Sequence, residues 1–197
     1  MKLLAFVDMH NSLEAFNKIK QKAKKEKPDL IICAGDLTIF EHKLFDILKR
    51  LNKLNIEFLM VNGNHEDNKS IENYAKNLKN IKAMHKKIYE KDDIVFVGYG
   101  GGGFSQKDKN FEKWSNKQLH KLKEKKVVLI THGPPYKSGI DKIHSEDVGN
   151  QSYKKFIDRI KPILIISGHL HENSGKHFNI KGIKYVNPGP FGEIIQI

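Results

Sequence analysis

The sequence predicts an α/β protein in which part of the sheet is mixed. Three observations carry that prediction. Short runs of Leu, Ile and Val alternate with longer segments whose apolar residues recur at helical spacing. Five of the presumed strands end in Asp, Asn or His, most of them beside a glycine. Hairpin-like pairs near residues 87–99 and after Lys176 break the strict alternation and imply antiparallel edges.

In chain order, residues 2–7 read as a buried strand. Ser12 is placed to cap a helix whose Ala15, Phe16, Ile19 and Ala23 share one side, and Pro28 ends it. Residues 30–34 form a second strand. Residues 41–54 are helical, with Leu44, Phe45, Leu48 and Leu51 on one face. Residues 56–61 give a third strand and residues 70–78 a short helix. A hairpin over 87–90 and 94–99 turns at Asp92-Asp93, and a helix is expected over 110–125. Residues 127–130 and 163–166 are further buried strands, with a helix over 151–160 between them. The tail turns back around Lys181-Gly182 as antiparallel strands.

The 197 residues suit one domain, 1–197, with a sizeable core. Hydrophobic residues at 39% and charged residues at 29% belong to a globular chain rather than a disordered one. No apolar run approaches the ~20 residues of a membrane helix, so no membrane partner is expected. The first run, Leu3 to Val7, is broken by Asp8 and His10 and is too short for a signal-peptide core. Cys33 is the only cysteine, so no internal disulfide forms, and a reducing cytoplasmic setting is expected. The formal charge is +12, and 33 of the 35 basic residues are lysines, since Arg occurs only at 50 and 159. Such a charge attracts nucleic acid or a phosphate substrate. These lysines lie on many helix faces and are not interleaved with aromatics, so a solvated surface is the better reading and nucleic acid is not favoured.

The chemistry lies in five strand-end motifs: Asp8-Met9-His10, Gly35-Asp36, Gly63-Asn64-His65-Glu66, Thr131-His132-Gly133 and Gly168-His169-Leu170-His171. In extended chain, residues two apart point the same way, so Asp8 and His10 form a pincer. His169 and His171 do likewise if the backbone stays extended; if it bends, they serve different ions. The glycines before Asp36, Asn64 and His169 permit close backbone approach. Carboxylate and imidazole together suit Mn, Fe, Ni or Zn rather than Ca. A carboxylate bridges two ions, and two ions roughly 3.5–4 Å apart clamp the attacking and leaving oxygens of phosphoryl transfer. Each motif alone is weak; five in order, each behind a strand, point to a metal centre.

The ordered set resembles the calcineurin-like metallophosphoesterases, whose pattern is D-x-H, GD, GNH[ED], a strand-end His and GHxH. The resemblance spans residues 3 to about 190. It implies a four-layer α-β-β-α sandwich of two mixed sheets flanked by helices, with two divalent ions, Mn foremost, at one rim. It implies that Asp8, His10, Asp36 and His171 hold the first ion. Asp36, Asn64, His132 and His169 hold the second, with Asp36 as the bridge. His65 is the catalytic group: it faces the substrate beside Asn64, hydrogen-bonds the phosphate and protonates or stabilises the leaving oxygen. Glu66 lies behind the site or is structural.

The departures from that pattern narrow the reading. After Gly35-Asp36 come Leu37-Thr38-Ile39-Phe40, without the Asp and Arg of the protein Ser/Thr phosphatases. What orients His65 is therefore open, and a protein phosphatase is disfavoured. The stretches 131–136, 141–149 and 159–162, with Asn187-Pro188-Gly189, resemble small archaeal and bacterial phosphodiesterases, although Pro190 stands where Ser is usual. The expected function is hydrolysis of a small phosphodiester, a cyclic nucleotide among the options, by a metal-bridging hydroxide. The alternatives are a nuclease or phosphomonoesterase of the same chemistry, and a non-catalytic scaffold of the same fold, which His65 argues against. Gly100 to Gly103 read as a flexible turn beside the site, lacking the Lys-Ser/Thr of a P-loop. Tyr136 and Phe104 are candidates for stacking on a base, His144 for substrate contact. His85, His120 and His177 read as incidental, and Trp114 as core.

Overall fold

A computed structural model describes residues 1–197. The first half runs β1 (Lys2–Phe6), α1 (Leu13–Glu26), β2 (Leu30–Cys33), α2 (Leu44–Asn52), β3 (Phe58–Met60), α3 (Asn68–Ala75) and β4 (Ile81–Ala83). The hairpin β5 (Lys87–Lys91) and β6 (Ile94–Tyr99) follows, then α4 (Lys109–Asn116), α5 (Leu119–Leu122) and β7 (Lys126–Thr131). The remainder is β8 (Lys142–Ile143), β9 (Glu146–Asp147), α6 (Gln151–Ile160), β10 (Leu164–Ile166), β11 (His177–Ile180), β12 (Ile183–Val186) and β13 (Glu193–Gln196).

One sheet has the order β13-β1-β2-β3-β4 and the other β11-β12-β10-β7-β6-β5. Strands β1 to β4 are parallel, as are β12, β10, β7 and β6. Strands β13, β5 and β11 pair antiparallel at the edges. Both sheets are thus mixed. The alternation of side chains along each strand builds the layers. In β1, Leu4 and Phe6 face α1 and α2, while Leu3 and Ala5 face the other sheet with Ile32, Phe96, Val128 and Ile166. A third cluster packs Val97, Leu129 and Ile165 against Phe111, Phe156 and Ile157 of α4 and α6. Three apolar interfaces separate four layers, α-β-β-α, as expected.

Local signals explain the well-matched elements. Ser12 accepts a hydrogen bond from Ala15 N, and α1 ends at Lys27 in left-handed conformation just before Pro28. Asn150 caps α6 by accepting from Ser152 N and Tyr153 N. Other elements differ from expectation. Helix α2 begins at Leu44 rather than 41, because Phe40, Glu41 and Lys43 have φ of 45°, 61° and 55°. The expected 110–125 helix breaks around Lys117-Gln118, where amides bond three residues back instead of four. Strand β4 and the two-residue pair β8 and β9 are too short to show in the sequence. The parallel register aligns the carboxyl ends of β1, β2 and β3 along one rim, and those of β7 and β10 beside them.

Candidate metal centre

The five motifs converge at that rim. Asp8, His10 and His171 each offer one ligand atom within 4.8 Å of the others, and so do Asp36, His132 and His169. His10, Asp36 and His65 form a third such group. Asp36 links them: its Oδ2 lies 3.7 Å from His10 Nε2, 3.4 Å from His132 Nε2 and 3.9 Å from His65 Nε2. Asn64 joins through Oδ1, 3.0 Å from His132 Nε2.

The backbone that achieves this is not the extended chain expected for the Asp8 and His10 pincer. Asp8 and His10 have φ of 54° and 47°, and Asp36 and His169 have φ of 50° and 67°. These left-handed turns aim the two residues of the pincer at one point by bending. The chain also bends at His169, and His171 begins a 3-10 turn. His169 and His171 consequently join different groups, the second of the two arrangements open from sequence. Held strain of this kind concentrates at functional sites.

The donor chemistry fits cations. His132 Nδ1 lies 3.0 Å from Ala34 O, which only accepts, so Nδ1 carries a proton and Nε2 is turned toward Asn64 Oδ1 and Asp36 Oδ2. His10 Nε2 and His171 Nε2 face each other at 3.2 Å. Asp8 Oδ1 and His169 Nε2 are buried with no hydrogen-bond partner. Imidazole nitrogens set against one another, and buried carboxylate and imidazole atoms left without partners, are what divalent ions satisfy.

Electrostatics separates the two carboxylates. Burial raises the Asp8 carboxyl to about 6, against the pull of His132 and His171. Burial also opposes ionisation of Asp36, but hydrogen bonding and charge from His132, with help from His65, bring it to about 2. Burial lowers His169 to about 4, with His132 adding to the fall. His132 stays above the usual imidazole value despite burial, because Asp36 and Asp8 favour its cation.

Two residues matter more than the sequence indicated. The buried Glu66 carboxylate accepts from Asp36 N (3.1 Å), Thr38 N (2.7 Å), Thr38 Oγ1 (2.9 Å) and Gly63 N (3.1 Å). It therefore fixes the backbones that carry Asp36 and Asn64. Phe40 packs on His65 with ring centroids 4.6 Å apart, while His10 meets the same imidazole at 4.9 Å. His65 Nδ1 has no partner. His65 is held by ring packing on Phe40 and His10 and by Asp36, whose carboxylate accepts from His65 N at 3.0 Å and lies 3.9 Å from Nε2. The only signal for Glu66 was an acidic residue after Gly63-Asn64-His65; for Phe40 there was none. Of the remaining candidates, Trp114 is half-buried against the α4 core, His144 is exposed, and His177 pairs with Glu193 at 2.7 Å. His85 Nδ1 accepts from Gly100 N.

The family model for calcineurin-like phosphoesterases matches residues 1–173. The chain belongs to this family. It is accordingly a phosphoester hydrolase dependent on divalent metal, with His and Asp clusters suited to hold it. A probable glycerophosphodiester phosphodiesterase GpdQ from Arcobacter nitrofigilis is 29% identical over 197 aligned positions, covering 88% of this chain and 67% of the relative. Among solved structures, TT1561 of Thermus thermophilus superposes with a TM-score of 0.77 at 17% identity, covering 95% of this chain and 88% of that one. A novel archaeal phosphodiesterase gives a TM-score of 0.59 at 18% identity, covering 96% and 84%. At these identities the solved structures speak for the fold. No helix of the chain is long and apolar enough to cross a membrane.

Proposed function

We propose that the protein is a single-domain phosphodiesterase for a small substrate, working through a dinuclear centre for which Mn is the first choice. The observation that carries this reading is the position of Asp36 Oδ2, within 4 Å of one imidazole from each of three motifs. One carboxylate oxygen is shared between two ligand groups, the arrangement a bridged pair of ions needs. The diester preference is supported by the phosphodiesterase named among the relatives.

In this reading Asp8, His10, Asp36 and His171 hold one ion, and Asp36, Asn64, His132 and His169 the other. Bound there, the two ions supply Lewis acidity toward phosphate oxygens and lower the pKa of water. The chain does the rest. Ala34 O holds the proton on His132 Nδ1 and so keeps Nε2 turned inward. Asp8 Oδ2 accepts from His169 N at 2.9 Å and so ties β1 to the Gly168-His169 turn. His65, half-buried between Phe40 and His10, is not a ligand in this reading. It hydrogen-bonds the phosphate and donates a proton to the alkoxide as its bond to phosphorus breaks. The buried lone thiol of Cys33 accords with a reducing cytoplasm.

The test is hydrolysis of bis(p-nitrophenyl) phosphate by Mn-reconstituted protein. His65→Ala is expected to lower kcat by ~10²–10⁴-fold, the usual scale of general acid catalysis. Asp36→Ala is expected to lose activity together with bound metal. Full activity in either variant overturns the assignment.

A further inference from the structure

Two of the three most exposed large apolar side chains of the protein, Phe40 and Phe104, pack on imidazoles of the candidate metal centre. Phe40 is 78% exposed, Phe104 68% and Leu13 63%, whereas no other large apolar residue exceeds 46%. Scattered exposed apolar residues are ordinary, but two exposed phenyl rings packed on the imidazoles of one polar site mark a place for a ligand. Phe40 packs on His65, and Phe104 packs edge-on against His169 with centroids 4.5 Å apart. The contacts run from Phe40 through His65, Asp36, His132 and His169 to Phe104. The two phenyl rings therefore stand at the two ends of one chain of contacts that passes through the shared carboxylate.

Each ring is held out by its backbone rather than by burial. Phe40 has φ of 45°, unusual for a bulky residue. Its loop is tied on one side by Asn11, which accepts from Ile39 N and donates to His42 O. On the other side Glu41 accepts from Asp67 N and Ser70 Oγ. Phe104 follows Gly101, Gly102 and Gly103, with φ of 78°, 103° and 63°. That turn lies close over the site: a Cβ on Gly103 would come within 3.4 Å of His169. Gly101 N also donates to Asn62 O at 2.8 Å. These ties hold two rings in water with no gain to the core.

We propose that Phe40 and Phe104 form an aromatic rim that selects phosphoesters carrying a planar ring, such as an aryl or nucleobase group. The proposal rests on the phosphodiesterase reading only for the phosphoryl end of the substrate. A ring-free polyol ester leaves both phenyls in water. A planar group covers one of them, and stacking on an aromatic side chain favours binding by roughly 5- to 150-fold per ring.

Calorimetric titration of Mn-loaded protein with phenylphosphonate and methylphosphonate tests this without turnover, because the two share a phosphoryl group and differ in the ring. The wild type is expected to prefer phenylphosphonate by ~10-fold. Phe40→Ala and Phe104→Ala each reduce that ratio, the double variant brings it near one, and Phe40→Tyr retains it. A wild-type ratio near one, an unchanged ratio in the double variant, or binding of neither phosphonate overturns the proposal. Preference for octylphosphonate over phenylphosphonate also overturns it, in favour of an apolar chain. A persistent ring preference in a protein that cleaves no diester places the failure in the phosphodiesterase reading instead.

Discussion

Replacing Glu66 by Ala removes the acceptor for three backbone amides, Asp36 N, Thr38 N and Gly63 N, all in the interior behind the metal centre. The Thr38 hydroxyl also loses its partner but is free to rotate. A buried donor left unpaired costs about 1–3 kcal/mol, so three give about 3–9 kcal/mol. Water entering the space vacated by the carboxylate offsets part of this, which leaves about 3 kcal/mol as the expected floor. For a chain of 197 residues this lowers Tm by at least about 6 °C. Glu66→Gln keeps one good acceptor and turns an amide toward the remaining donors, so about half the loss is expected. Denaturant unfolding of the metal-free proteins measures both, because metal would add its own stabilisation. A loss under about 1 kcal/mol for Glu66→Ala would refute the claim that this carboxylate braces the site.

Other consequences are as direct. A Cβ on Gly63 would stand 1.9 Å from Asp36 Oδ1, so Gly63→Ala is expected to displace that carboxylate and lose bound metal, read by elemental analysis of dialysed protein. At His85, burial and then Lys86 lower the imidazole below its ordinary value. Its folded pKa lies under the unfolded ~6.5, so its contribution to stability is present above that pH and declines as pH falls through it. His85→Asn should therefore be less stable than wild type at pH 8, with the gap narrowing by pH 5.5 in thermal melts. Gly100 N donates to His85 Nδ1, which only the uncharged ring accepts, in agreement with that sign.

Much of the fold was legible because burial writes itself as period. Continuous apolar runs at 30–34 and 127–130 announced strands covered on both faces, and Ser12, Pro28 and the 151–160 pattern set helix ends. The candidate ligand residues stood out for a similar reason, since Asp, Asn and His at strand ends have no role in a core. What escaped was backbone conformation. Nothing in the letters of Asp8, His10 or His169 announces a left-handed φ, because tertiary ties impose it. The loop from Ile39 to Lys43 escaped for the same cause: its partners, Asn11, Asp67 and Ser70, lie far away in sequence. The extended pincer was wrong about the backbone yet right about convergence, as two short polar side chains reach one point by either route.

The most direct test of the dinuclear account is titration of metal-free protein with Mn²⁺ while hydrolysis of bis(p-nitrophenyl) phosphate is followed. Activity is expected to rise until two equivalents are bound per chain and then to level off. Saturation at one equivalent, or no hydrolysis with both equivalents bound, would contradict it.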